Sequence, residues 1–275
     1  MAATFVQSRG ASGQSGPVSF AYTSPLTSGN SAIVCLGYAS NGVVATTVVD
    51  NLGNTFSLIK RSDAVSQGVT DIWVSQGVVA GSSTVTVTFS SGKSGIGICL
   101  LEYAPTAGQV FTLNQQNENG GLAQTSYPSG SITTTDTSEL VLYVGRINNQ
   151  TSVPAGFTTR NNLVGSNSVT VFEKITSIVE ALNPIPTGPS TNYRAMIASF
   201  SDTPDNSGIR YTQEARLVLY DEDEPGINLT QMARQVLYPF ACSGPAAPDT
   251  RVFLFKRNTW GIERFDIKVR QEDKS

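Results

Sequence analysis

The stretch Thr84-Val85-Thr86-Val87-Thr88-Phe89 sets threonine at every even position and Val85, Val87 and Phe89 at the odd ones. Strict alternation of β-branched residues is the pattern of a strand with one wet face and one buried face. Comparable runs lie at residues 18–22, 32–38, 43–49, 55–60, 71–74, 96–103, 110–113, 139–144, 168–172 and 193–200. Turn formers separate them, as in Ser40-Asn41-Gly42 and Ser91-Gly92. No helix of three turns is readable in this part of the chain. So many short strands with frequent turns predict a mainly β fold, a two-sheet jelly-roll-like sandwich over residues 1–203. A small β-rich or α+β C-terminal domain over residues 204–275 follows it.

Charge sets that boundary. Residues 1–200 hold 8 Lys/Arg and 9 Asp/Glu, whereas residues 201–275 hold 10 and 12. The change falls at Ser201-Asp202-Thr203-Pro204-Asp205-Asn206-Ser207-Gly208, a polar stretch with Pro and Gly that reads as a linker. Within the first region Ser31-Ala32-Ile33-Val34-Cys35-Leu36 echoes Ser138-Glu139-Leu140-Val141-Leu142-Tyr143. A jelly roll contains two Greek keys, so the echo is expected of a single sandwich without any duplication.

Composition removes several kinds of chemistry. The chain of 275 residues has no histidine, which excludes Ser-His-Asp and Cys-His catalysis and the HExxH zinc site. A net charge of -3 argues against a nucleic-acid partner. No stretch approaches the roughly 20 apolar residues of a membrane helix, and the first ten residues carry no apolar run of the signal type. No cofactor and no metal is expected.

Cys35 and Cys99 sit in apolar runs and read as small core residues. They form a bridge only if their strands are neighbours. Cys242 has no CxxC partner. Asp50, Asn51 and Asn54 offer oxygens to a calcium ion, but Asp and Asn in turns more often bond their own backbone. Tyr22, Tyr38, Trp73, Tyr103 and Tyr127 are the aromatic residues available to a glycan platform, but most of them read better as core or sheet-surface residues and no cluster marks a groove. Glu102, Glu173 and Glu180 are the acids available for glycoside hydrolysis, and nothing in their spacing pairs them.

The most specific signal is a repeat. Tyr211-Thr212-Gln213-Glu214-Ala215-Arg216-Leu217-Val218-Leu219-Tyr220 recurs as Leu229-Thr230-Gln231-Met232-Ala233-Arg234-Gln235-Val236-Leu237-Tyr238, with seven of ten positions identical. The first copy has strand parity and the second fits helical spacing, so both conformations stay open, with strands preferred. The acidic connector Asp221-Glu222-Asp223-Glu224-Pro225-Gly226 reads as a solvated loop. Two further strand candidates close the chain, Arg251-Val252-Phe253-Leu254-Phe255 and Phe265-Asp266-Ile267-Lys268-Val269-Arg270.

This Thr-Gln-x-Ala-Arg-x-Val-Leu-Tyr repeat resembles short Thr/Ser-Gln…Val-Leu-Tyr repeats in structural proteins of tailed bacteriophages. The strand-rich first region looks like the β-sandwich modules of phage virion proteins and bacterial surface proteins. The resemblance implies a non-enzymatic virion component of head-decoration, tail-tip or fibre type, assembled in the host cytoplasm. Its partners would be other virion proteins and further copies of itself. Thr212, Gln213, Arg216, Tyr220, Thr230, Gln231, Arg234 and Tyr238 are then the candidate assembly contacts. The competing reading is a carbohydrate-binding module of a phage adhesin or surface protein, with host surface polysaccharide as ligand.

Overall fold

A computed structural model describes residues 3–13, 17–39, 42–64, 68–91, 95–147, 150, 152–162 and 169–204 of the first region. In the C-terminal region it describes residues 218–219, 229–230, 250–258 and 261–269. The chain divides into two compact units, Met1–Ser207 and Gly208–Ser275.

The first half of unit one contains β1 (Thr4–Gly13), β2 (Val18–Ala21), β3 (Ser31–Tyr38) and β4 (Ala45–Asp50). It continues with β5 (Ser57–Ala64), β6 (Gly68–Ser75), β7 (Thr84–Phe89) and β8 (Ile96–Ala104). They form a five-stranded sheet in the order β1-β8-β3-β6-β5 and a three-stranded sheet in the order β2-β7-β4. First strand beside last and second beside seventh is the nested order of two Greek keys, so these eight strands make a jelly roll. As the alternation of residues 84–89 requires, Val85 and Val87 point inward and are fully buried.

The second half repeats this plan. Its strands are β9 (Gln109–Ser126), β10 (Ile132–Thr133), β11 (Glu139–Arg146) and β12 (Thr158–Asn162), then β13 (Thr170–Ile175), β14 (Ala181–Leu182) and β15 (Thr187–Pro204). The main sheet runs β9-β15-β11-β13-β12, and β10 pairs with β14. Matching β9 to β1, β10 to β2, β11 to β3, β12 to β5, β13 to β6, β14 to β7 and β15 to β8 reproduces every pairing of the first half except those of β4. Residues 1–203 therefore hold two jelly-roll halves where a single two-sheet sandwich was expected. The echo between Ser31–Leu36 and Ser138–Tyr143 marks this topological repeat, because those segments supply β3 and β11, the central strands of the two main sheets.

The turns agree as well. Before β5, Gly53 N–H donates to Asp50 O with Gly53 at φ +85°; before β12, Phe157 N–H donates to Pro154 O with Gly156 at φ +78°. A positive φ at each turn is a position suited to glycine. Each turn is followed by a phenylalanine, Phe56 or Phe157, that packs on the core of its own half.

The two main sheets lie face to face. Even residues of β3 and β8 (Val34, Leu36, Ile98, Leu100) pack on Val18, Val48, Val85 and Val87 of the three-stranded sheet. Odd residues (Ile33, Cys35, Cys99, Leu101) pack instead on Leu140, Leu142, Val171, Met196 and Phe200 of the second half. This is why β3, β6, β8 and β11 read as nearly continuous apolar runs: both of their faces are covered. Between the halves β1 meets β12 and β5 meets β9, β3 and β6 meet β11, and β5 and β6 meet β15.

In unit two, β16 (Val218–Leu219) pairs antiparallel with β17 (Leu229–Thr230), and β18 (Thr250–Asn258) with β19 (Gly261–Val269). The end of the first repeat copy therefore pairs with the start of the second, and these four repeat residues are in strands.

Candidate functional site

Of the candidate assembly contacts, Thr230 lies in β17 opposite Val218. Thr212, Gln213, Arg216, Tyr220, Gln231, Arg234 and Tyr238 lie outside the described residues, as do Cys242 and the acidic connector.

The aromatic candidates are core residues. Tyr38, Tyr103 and Tyr127 are fully buried, and Tyr22 and Trp73 are each 6% exposed. These rings therefore form no exposed platform: a tyrosine inside an apolar run that is covered on both faces packs inward and hydrogen-bonds there. Tyr22 donates to Leu101 O, Tyr38 to Asp71 and Tyr103 to Glu173.

The Asp50 turn is satisfied from within. Asp50 Oδ1 accepts the N–H groups of Leu52 (3.0 Å) and Asn54 (2.9 Å), while Oδ2 accepts Asn54 Nδ2 (2.7 Å) and Ser83 Oγ (2.8 Å). Four donors on one carboxylate leave it no role as a calcium ligand, and the turn serves to bind β4 to the chain before β7.

The three acids are spent on separate partners. Glu102 is buried and accepts Thr27 N–H (2.8 Å), Asn30 Nδ2 (2.7 Å) and Gln7 Nε2 (2.6 Å), fixing the loop that leads into β3. Glu139 holds the equivalent loop before β11, where its Oε1 accepts the N–H groups of Thr135 (2.6 Å) and Asp136 (2.8 Å). Glu173 receives two bonds from Arg160, and Glu180 pairs with Lys174 at 2.6 Å.

Two arginine–carboxylate hubs escape a reading of the linear sequence. In the first half Arg61 of β5 reaches Asp71 of β6 through Nε and Nη2, both at 2.8 Å. Tyr38 O–H (3.0 Å) and Trp73 Nε1 (3.4 Å) also donate to Asp71, and Arg61 Nη2 donates to Ala45 O at 2.7 Å. Burial pushes the Asp71 carboxyl above the usual aspartate range, against the pull of Arg61. In the second half Arg160 of β12 forks onto Glu173 of β13 and lies over the Phe5 ring, 3.4 Å from its centroid. Because Phe5 and Tyr103 belong to the first half, this hub also ties the halves together. The available signal was a charge set among apolar strand residues, as in Thr70-Asp71-Ile72-Trp73, which demands a cation on the neighbouring strand.

Cys35 and Cys99 stand directly opposite one another on β3 and β8, both free and both buried. Burial raises both thiols well above their ordinary range, which suppresses the reactive thiolate. Maleimide labelling of the folded chain followed by peptide mapping is expected to leave both unmodified until denaturant is added. Labelling of either in the folded chain at the rate of a free thiol contradicts their place in the core.

On the surface a shallow apolar groove of about 250 Å³ runs beside β14, lined by Pro154, Phe157, Ala181, Leu182, Pro184 and Ile185. Exposed Val153, Ile178 and Val179 adjoin these residues in sequence. A second depression of about 200 Å³ lies among Thr112, Leu113, Asn114, Asp136, Ser201 and Thr203. Among the described residues no group of three or more Cys, Asp or Glu side chains is arranged to hold a metal ion. Comparison of the chain with protein-family models, with curated proteins and with solved structures gives no match.

Proposed function

We propose that this chain is a non-enzymatic structural component of a bacteriophage particle, a head-decoration, tail-tip or fibre protein. The double jelly roll is its exposed part, and the charged C-terminal unit docks on the virion. The observation that carries the reading is how unit one spends its chemistry. Its buried Arg and acidic side chains close internal hubs and loop anchors, and its aromatic candidates fill cores, so the polar inventory serves rigidity. Ser, Thr, Asn and Gly left on the outside give a low-charge β surface suited to display. The Thr-Gln-x-Ala-Arg-x-Val-Leu-Tyr copies supply the docking contacts, with Arg216 and Arg234 meeting carboxylates and Tyr220 and Tyr238 giving amphipathic area.

Gold labelling of purified particles with antibody raised against the chain tests this. Label on heads or tails is expected, and its position separates decoration from host attachment. Unlabelled particles, with the protein found on cell surfaces or free in the cytoplasm, overturn the proposal.

A further inference from the structure

Among the described residues the second jelly roll shows no counterpart of one strand. In the first half β4 pairs along β7, from Ala45 opposite Phe89 to Asp50 opposite Val85. In the second half the described residues show one rung of this pairing, where Ser152 N–H donates to Thr187 O (3.3 Å) and Thr187 N–H donates to Ser152 Oγ (2.8 Å). Pro154, Ala155 and Phe157 then border the groove beside residues 181–185, and among the described residues no strand pairs with that edge.

The direction of the backbone groups on that edge follows from their neighbours. Glu180 O accepts Thr134 N–H and Pro186 O accepts Tyr127 N–H, so the even residues face the β10 side. Thr187 faces Ser152 on the other side, and so by parity do Ile185, Asn183 and Ala181. Pro184 has no N–H to offer on the β10 side, which accounts for the shortness of the β10–β14 ladder. Burial alternates in step: Leu182, Pro184 and Pro186 are inside, while Ala181, Asn183 and Ile185 are outside. Among the described residues no hydrogen bond reaches the backbone of Asn183 or Ile185. Three amide and carbonyl pairs thus line an edge beside an apolar groove, flanked by Val153 (48% exposed), Ile178 (60%) and Val179 (50%).

We propose that this edge is a self-pairing site, at which residues 181–185 of one copy of the chain pair antiparallel with the same residues of a second copy. Asn183 then lies on the two-fold axis, and Ala181 of each copy faces Ile185 of the other. The occupant follows from symmetry and charge. An antiparallel pair is two-fold symmetric, so an uncharged edge complements itself, and the one charge in residues 178–186, Glu180, is already neutralised by Lys174. Five residues span roughly 17 Å of edge, too short to bury the roughly 1,200–2,000 Å² of a standard stable interface. Free chains therefore pair reversibly, and copies held side by side in an assembly pair firmly. The inference stands on edge geometry alone: an unlabelled particle leaves it intact, and its own failure leaves the particle reading intact.

The test is oxidative cross-linking of the full chain in a Cys242→Ser background. Asn183→Cys is expected to give a disulfide-linked dimer, whereas Val79→Cys, 56% exposed on the other jelly roll, gives only collisional product. Adding Ala181→Asp with Ile185→Asp sets carboxylates opposite each other and should abolish the Asn183→Cys product. Adding Ala181→Lys with Ile185→Asp sets opposite charges together and should restore it. All these side chains are exposed, so the fold is spared. Cross-linking no greater than that of Val79→Cys, or indifferent to the charge pattern, overturns self-pairing, and the edge then belongs to a strand of another protein.

Discussion

Arg61→Met destabilises the first unit by about 3–5 kcal/mol at neutral pH, the loss expected when one partner of a buried ion pair is removed. Asp71 is fully buried, and among the described residues Arg61 is the cation that bonds to it. Without the guanidinium, Tyr38 and Trp73 remain as donors, and neither carries charge. The deficit depends on pH with a definite sign. Burial already raises the Asp71 carboxyl in the folded state, and loss of Arg61 raises it further. A carboxyl raised on folding costs nothing while it is protonated in both states, and its penalty grows as pH rises through the folded value. The variant therefore lies closest to wild type in acid and falls away towards neutral pH. Arg61→Met with Asp71→Leu removes both charges and should recover most of the loss. Urea unfolding followed by Trp73 fluorescence in a Trp260→Phe background measures all three. Equal deficits at acid and neutral pH would show that lost packing by the arginine stem, not a stranded carboxylate, sets the cost.

That hub also shows where a linear sequence stops being informative. The strand of residues 84–89 was legible because its alternation is local, and β3 and β8 were legible as buried because apolar runs covered on both faces have no wet side. Asp50 was legible as a turn anchor, since its donors lie at Leu52 and Asn54. Arg61 and Asp71 are ten residues apart across a hairpin, and a β-bulge between Leu58 and Lys60 shifts their register. No spacing rule joins them. The duplication was visible only at Ser31–Leu36 and Ser138–Tyr143, because equivalent positions keep their burial and not their identity: Cys35 corresponds to Leu142. Tyr38 and Tyr103 read as core through their apolar neighbours, because a surface platform and a buried hydrogen-bonded phenol are the same letter. As for the repeat, Val218–Leu219 and Leu229–Thr230 settle as strands at the places where copy end meets copy start.

Leu142→Ala should loosen both jelly rolls at once, although the residue belongs only to the second. Leu142 is fully buried at the junction of the two main sheets, in one core with Ile33, Cys35, Ile72 and Leu101 of the first half. Truncation there costs about 2–5 kcal/mol, from lost transfer free energy and the cavity left behind. The consequence reaches across the junction because neither main sheet has a face that tolerates water. If the second half opened alone, β3 and β8 of the first would expose their odd-numbered side chains and β6 its Ile72 and Val74. The halves therefore open as one cooperative unit, and amide exchange in β3 and β8 is limited by the same global event as exchange in β11 and β15. Leu36→Ala, in the outer core of the first half, supplies the matched control on the other side of β3. Hydrogen exchange on both variants should show protection falling in parallel across β3, β8, β11 and β15. Loss confined to the strands between Gln109 and Pro204 in Leu142→Ala would mean that the first jelly roll stands without the second, and that the shared layer joins two independent folding units.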